Sequence, residues 1–245
     1  MPFLYLSPST QEFNPYVTSG NEDYWMNLIA DRMEPYLKAS AVNFERNDPE
    51  TNAATAIRES NEGNYDFHLA LHSNAAGEGS AGTVRGIDAY YYPSSQQGLQ
   101  MANILVDNLK PIYPLPDRVR ALPTTSIGEV RRTNAPSVLI ELGYHDNEDD
   151  ARWIEGNVAN IARALSLSVT EYFGLPFLEP TGEREGRVTL TSGNLNLRAY
   201  PEATAPIYRT IPNGAEVDVY GEYNGWYSVE YEDLYGFVRS EYISI

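Results

Sequence analysis

The sequence predicts an α/β protein, an open, mostly parallel sheet with helices on both faces, followed by a small all-β barrel. Three observations carry that prediction. Strand-like and helix-like segments alternate over the first 174 residues. The run Ser137-Val138-Leu139-Ile140-Glu141-Leu142 is almost continuously apolar, as a parallel strand covered on both faces has to be. Beyond residue 186 the pattern changes to short alternating strands punctuated by turn residues.

Taken in order, residues 3–6 form a short apolar run ended by Ser7-Pro8. Asn21 opens a helix, with Glu22 and Asp23 in its first turn, where the helix dipole favours negative charge. Trp25, Leu28, Ile29, Met33 and Leu37 recur at helical spacing, and Pro35 predicts a kink or an early end. A second strand at 41–44 and a second helix at about 49–62 follow, then strand-like stretches at 66–72 and 86–92. A helix near 97–109 leads into a Pro-rich loop. After the apolar strand, a long helix starts near Asn147, carries Ile154, Val158, Ile161, Leu165, Val169 and Phe173, and stops at Gly174. The stretch from Leu175 to Gly186 has two prolines, two glycines and no apolar period, so the expected domains are 1–175 and 187–245, with a linker at 176–186. In the second domain 194–198, 217–219 and 227–231 alternate, with turn signals at Pro201, Pro212-Asn213-Gly214 and Asn224-Gly225.

Composition narrows the function. Of 245 residues, 42% are apolar and 21% charged, the mixture of a folded globular chain. The net charge of −17 is spread along it: residues 1–174 hold 12 basic against 23 acidic side chains, and the rest hold 5 against 11. Neither part has the basic face that a phosphate backbone needs, which argues against nucleic acid and anionic membrane surfaces as partners. The absence of cysteine excludes disulfides, thiolate zinc sites and a Cys nucleophile. No stretch approaches the roughly 20 apolar residues of a membrane span. The opening Met-Pro-Phe-Leu-Tyr-Leu lacks a basic segment and reads as a first strand, not a signal peptide.

Three histidines exist, His68, His72 and His145. His68 and His72 share one face of a strand but lie roughly 13 Å apart at about 3.3 Å per residue, too far to bind one ion. His72 stands at the strand's C-terminal end, where open α/β sheets gather their ligands, and His68 reads as a hydrogen-bonded core residue. Glu141 ends the apolar strand at the same edge, where a carboxylate is costly unless paired, hydrogen-bonded or metal-bound. Glu22 can face the same crevice.

At these residues a family resemblance emerges. Leu6-Ser7-Pro8-Ser9-Thr10, Asn21-Glu22, Leu71-His72-Ser73-Asn74-Ala75-Ala76 and Ile140-Glu141-Leu142-Gly143-Tyr144, in that order over residues 3–174, resemble the zinc-dependent N-acetylmuramoyl-L-alanine amidases of the Amidase_3 type. The resemblance implies a peptidoglycan hydrolase that cleaves the amide between N-acetylmuramic acid and L-alanine. It implies Zn2+ as cofactor, His72 and Glu22 as ligands, Glu141 as the catalytic acid/base, and Asn74 and His145 beside the substrate. One departure matters, because family members place a zinc-ligating His just after the first strand and this chain has Ser9-Thr10-Gln11 there. Gln11 as an oxygen ligand, His145 as a replacement nitrogen ligand, and a degraded metal site in a protein that only binds the wall are all compatible with that departure. A peptidase acting within the stem peptide has less support, since its usual zinc motifs are missing.

Residues 188–245 resemble a bacterial SH3 module, through Leu195-Asn196-Leu197-Arg198, Ile211-Pro212-Asn213-Gly214, Gly225-Trp226-Tyr227-Ser228-Val229 and Gly236-Phe237-Val238. The resemblance implies an SH3-like barrel that holds wall peptides. Trp226 and Tyr223, with Tyr200 and Tyr235, are the aromatic residues able to line such a groove. Peptidoglycan is thus the expected partner of both domains, and the cell wall or extracellular space the expected place of action.

Overall fold

A computed structural model describes residues 2–245, which form two compact units. The larger comprises Phe3–Met33 and Phe44–Tyr172; the smaller includes Glu34–Asn43 and Phe173–Ile245.

Up to residue 173 the elements in chain order are β1 (Phe3–Pro8), α1 (Glu22–Ala39), β2 (Asn43–Arg46), α2 (Ala53–Glu62), β3 (Phe67–Asn74), β4 (Ile87–Tyr91), α3 (Gln96–Leu109), β5 (Val119–Pro123), α4 (Gly128–Arg131), β6 (Ser137–Tyr144) and α5 (Glu148–Phe173). The strands order as β2-β1-β3-β6-β4-β5. β1 with β3, β3 with β6 and β4 with β5 run parallel, and β4 runs antiparallel to β6. The central strands β3 and β6 are buried along most of their length, which is why their sequences are apolar on both faces. Helices do cover both faces. Phe67 packs edge-on against Tyr172 of α5, with ring centroids 4.7 Å apart, while its neighbour His68 points the other way and meets Ser60 of α2.

Two expectations change. Helix α1 runs through Pro35 to Ala39 without a break, because Met33, Leu37 and Ala39 are fully buried and packing holds the last turn despite the missing N–H. The Pro-rich loop contains β5 and the one-turn helix α4. Pro116 opens a 3-10 turn, where no N–H is needed, and Pro123 closes an edge strand, where proline is tolerated.

In the smaller unit β7 (Arg184–Val188), β8 (Asn194–Arg198), β9 (Ile207–Pro212), β10 (Glu216–Tyr223), β11 (Trp226–Tyr231), β12 (Leu234–Arg239) and β13 (Ile243–Ser244) form one antiparallel sheet, ordered β13-β7-β10-β11-β12-β8-β9. β7 therefore begins inside the stretch read as a linker. Val188, Leu195, Leu197, Ile211, Val217, Val219, Val229 and Val238 make its core. Asn224 and Gly225, both at positive φ, close the β10–β11 hairpin as their sequence signals. Within this unit the Asn43 side chain mimics a strand, donating to the Tyr235 carbonyl at 3.0 Å and accepting its N–H at 2.9 Å.

Gly86, at φ +143°, leads into β4, where an added Cβ would stand 2.8 Å from the Arg118 carbonyl. Gly86→Ala is expected to destabilise the protein by more than about 1 kcal/mol. Urea unfolding measures it, and an unchanged midpoint would contradict this account of the β4–β5 edge.

Candidate active site

The sheet assembles a row of ionisable residues at one level. In strand register His72 of β3 faces Glu141 of β6, Glu141 faces Asp88 of β4, and Asp88 faces Arg120 of β5. Direct cross-strand neighbours put these side chains on a common face. At one end of the row Arg120 holds the buried Asp88 by two bonds of 2.9 and 3.0 Å. At the other end is His72.

The His72 ring is buried between two carboxylates. Its Nδ1 lies 2.7 Å from Oε1 of Glu22, the first residue of α1. Its Nε2 lies 3.1 Å from Oε2 of Glu129, on α4. Burial alone would depress the His72 pKa, but the bonds and charges of Glu129 and Glu22 hold it well above the usual histidine value. With an acceptor at each nitrogen, the ring carries both protons. Burial opposes ionisation of both acids too. Bonds from His72 and Asn14 nonetheless bring Glu22 below its usual range, and bonds from His68 and His72 do so for Glu129.

The loop between β1 and α1 completes the Glu22 environment. Asn14 Nδ2 donates to Glu22 Oε2 at 2.6 Å, and the Asn14 carbonyl accepts the Glu22 N–H at 3.0 Å. The Gln11 amide nitrogen, Nε2, lies 3.2 Å from His72 Nδ1, and its Oε1 accepts from Asn14 at 3.1 Å. A cavity of about 350 Å³ opens here, with Gln11, Ser7, His72, Glu129 and Asn52 in its wall and the exposed Phe13 at its edge.

Glu141 is in the opposite condition to its neighbours. Its Oε2 is buried and has no hydrogen-bond partner. Its pKa is pushed up to about 7, chiefly by burial, with His72 pulling it down and Glu22, Asp88 and Glu129 pushing it up. A carboxyl group poised near neutrality one strand from His72 is suited to giving and taking protons.

A family model for N-acetylmuramoyl-L-alanine amidase (Amidase_3) matches residues 16–171, well over half of the chain. The chain belongs to the N-acetylmuramoyl-L-alanine amidase family. A second family model, for a bacterial SH3 domain, matches residues 193–244. Among solved structures, this amidase is similar to the catalytic domain of CwlV from Bacillus (Paenibacillus) polymyxa var. colistinus: TM-score 0.62, 16% identity, 72% of this chain and all of that one. It is also similar to AmiC2 of Nostoc punctiforme: TM-score 0.58, 17% identity, 71% of this chain and 97% of the other. The catalytic domain of CD27L, an endolysin targeting Clostridia difficile, matches at TM-score 0.57 and 18% identity over 70% of this chain and 98% of its own. At these identities the likeness is one of fold. No protein of curated function matches the sequence. This amidase is a peptidoglycan hydrolase by family, with an all-β SH3-type module after its α/β unit.

The structure brings His72, Glu22 and Gln11 together and sets Glu141 beside His72 on the adjacent strand. His145 stands one residue further from Glu22: its Nδ1 is engaged by the Ser73 carbonyl at 2.9 Å and the Ser73 hydroxyl at 3.1 Å, and its ring stacks on Tyr16. It braces Ser73, near the end of β3, whose own N–H lies 3.4 Å from Glu22 Oε1. Asn74, at the end of β3, caps the following turn by accepting the Ala75 N–H at 2.8 Å. Trp226, expected to offer a contact surface, is instead 4% exposed, with the Arg239 guanidinium 4.6 Å from its ring centroid. Tyr223, 39% exposed, is the open aromatic of that hairpin. Sequence reading missed Glu129, Asp88 and Arg120. A four-residue helix has no periodicity to reveal Glu129, and Asp88 becomes a neighbour of Glu141 only through the antiparallel placement of β4.

A displacement of the Glu141 pKa from 4.5 to about 7 favours the protonated acid in the folded state. Its contribution to stability is therefore complete below about pH 4.5 and is lost as pH rises through 7. In metal-free protein, Glu141→Gln is expected to be less sensitive than wild type between these pH values, and more stable by on the order of 3 kcal/mol at pH 8. Thermal melts across that range with a chelator present measure the difference, and parallel curves for the two proteins would contradict it.

Proposed function

We propose that this amidase is zinc-dependent, with His72 and Glu22 as strong ligands, Gln11 as a weaker oxygen ligand and Glu141 as the acid/base. The observation that carries this reading is the convergence of His72 Nδ1, Glu22 Oε1 and the Gln11 side chain, whose amide turns over to offer Oε1 in place of Nε2, with the partnerless Oε2 of Glu141 at the same sheet level. A buried carboxylate oxygen with no partner is what a site lacks until its ion, water or substrate arrives. Bound zinc supplies Lewis acidity toward the amide carbonyl and the attacking water. The rest falls to the chain. Glu141 takes a proton from the attacking water and delivers it to the nitrogen of L-alanine as the amide bond breaks. Burial raises its pKa enough for both steps at neutral pH. Asn74 and His145 hold the turn that flanks the substrate. The SH3-type module holds wall peptides, with Tyr223 in the contact surface, and the enzyme acts at the cell wall. Among the described residues, no helix is long and apolar enough to cross a membrane.

One observation favours a second reading, a wall-binding protein with a degraded metal site. Among the described residues, no group of three or more His, Cys, Asp or Glu could hold a metal ion. An amide oxygen must then replace an imidazole, at a cost in affinity.

Purified peptidoglycan incubated with zinc-loaded enzyme is expected to release stem peptides beginning with L-alanine, and Glu141→Ala to release none, as read by mass spectrometry. Undigested peptidoglycan with zinc bound would support the binding-protein reading. His145→Ala is expected to leave zinc affinity within about threefold of wild type, because its Nδ1 already serves Ser73. A large loss in a zinc titration would make His145 a ligand.

A further inference from the structure

We propose that Glu129 is a positioning residue, a buried carboxylate that keeps the His72 proton on Nε2, so that Nδ1, on the side of Glu22 and Gln11, is the nitrogen that gives up its proton to become a ligand. The inference rests on the reading of His72 as a ligand and adds a residue that this reading does not use.

The geometry of Glu129 divides its two oxygens. Oε1 is anchored twice, by the Ser7 hydroxyl at 2.6 Å and by His68 Nε2 at 3.2 Å. His68 is fixed in turn, its Nδ1 lying 2.9 Å from the Ser60 hydroxyl and its ring stacked on Tyr5 with centroids 5.2 Å apart. Oε2 lies 3.1 Å from His72 Nε2. All these groups are buried. These bonds fix the orientation of the carboxylate, and one of its oxygens stays aimed at a single ring nitrogen.

A role in stability alone explains this arrangement poorly. Burying a carboxylate among two histidines and a serine, with no Lys or Arg paired to it among the described residues, costs free energy that an apolar side chain would avoid. A ligating histidine, by contrast, needs its non-ligating N–H held by an acceptor. A carboxylate there fixes tautomer and ring orientation and raises the basicity of the other nitrogen. His68 and His72 lie too far apart along β3 to share an ion, yet one carboxylate on α4 reaches both. His68 thus belongs to the site as a support for Glu129.

The test uses the full-length protein. Glu129→Gln keeps the shape and removes the charge. Zinc titration against a competing chromophoric chelator is expected to show affinity reduced 10- to 100-fold, with the far-ultraviolet circular dichroism unchanged. His72→Ala is measured in parallel. If His72→Ala binds zinc as wild type does, the ligand reading itself is wrong. If His72→Ala abolishes binding while Glu129→Gln binds like wild type, the positioning role alone is overturned. Should Glu129→Gln fail to fold, long-range proton–nitrogen NMR of zinc-loaded wild type decides. A slowly exchanging proton on His72 Nε2 is expected, and a proton on Nδ1 would overturn the proposal.

Discussion

The catalytic end of this molecule depends on one interaction, the clamping of the His72 ring between two carboxylates that come from different helices. Glu22 arrives at the start of α1 and Glu129 on the single turn of α4, while β3 supplies the ring from the middle of the sheet. Each acid taken alone would resist burial, and the ring alone would shed its proton. Together they are mutually stabilised, and the His72 pKa rises as those of Glu22 and Glu129 fall. The arrangement also explains the loop after β1, whose Gln11 and Asn14 fill the remaining hydrogen-bonding positions around Glu22 and His72.

Glu141 lies outside the clamp, and its chemistry follows from that. It is a strand away from the imidazolium, and Arg120 is spent on its other neighbour, Asp88, and not on Glu141. Glu22, Asp88 and Glu129 surround it with negative charge in a poorly solvated place, so its proton is held to near neutrality. One site thus keeps two helix-borne acids ionised and a third, on the sheet, near half-protonation, by the usual contest between desolvation and partners.

Much of this was legible in the sequence, for physical reasons. Glu141 stood out because a carboxylate ending an apolar strand has to be accounted for, and His72 because it followed an apolar run at a sheet's C-terminal edge. The strands β3 and β6 were visible through burial on both faces. Glu129, Asp88 and Arg120 were not visible, because their roles depend on register and on a helix too short to have a period. The continuation of α1 past Pro35 was missed because packing outweighed a local rule. Trp226 was misplaced because an aromatic on a short strand has the same sequence signature whether it faces the core or a groove, and here Arg239 covers it.

The central claim is a metal centre with a single imidazole. X-ray absorption at the zinc edge of the loaded, full-length protein tests it most directly. A first shell of oxygens and one histidine nitrogen is the result this account predicts. A shell with two histidine nitrogens, or a protein that takes up no zinc at all, would contradict it.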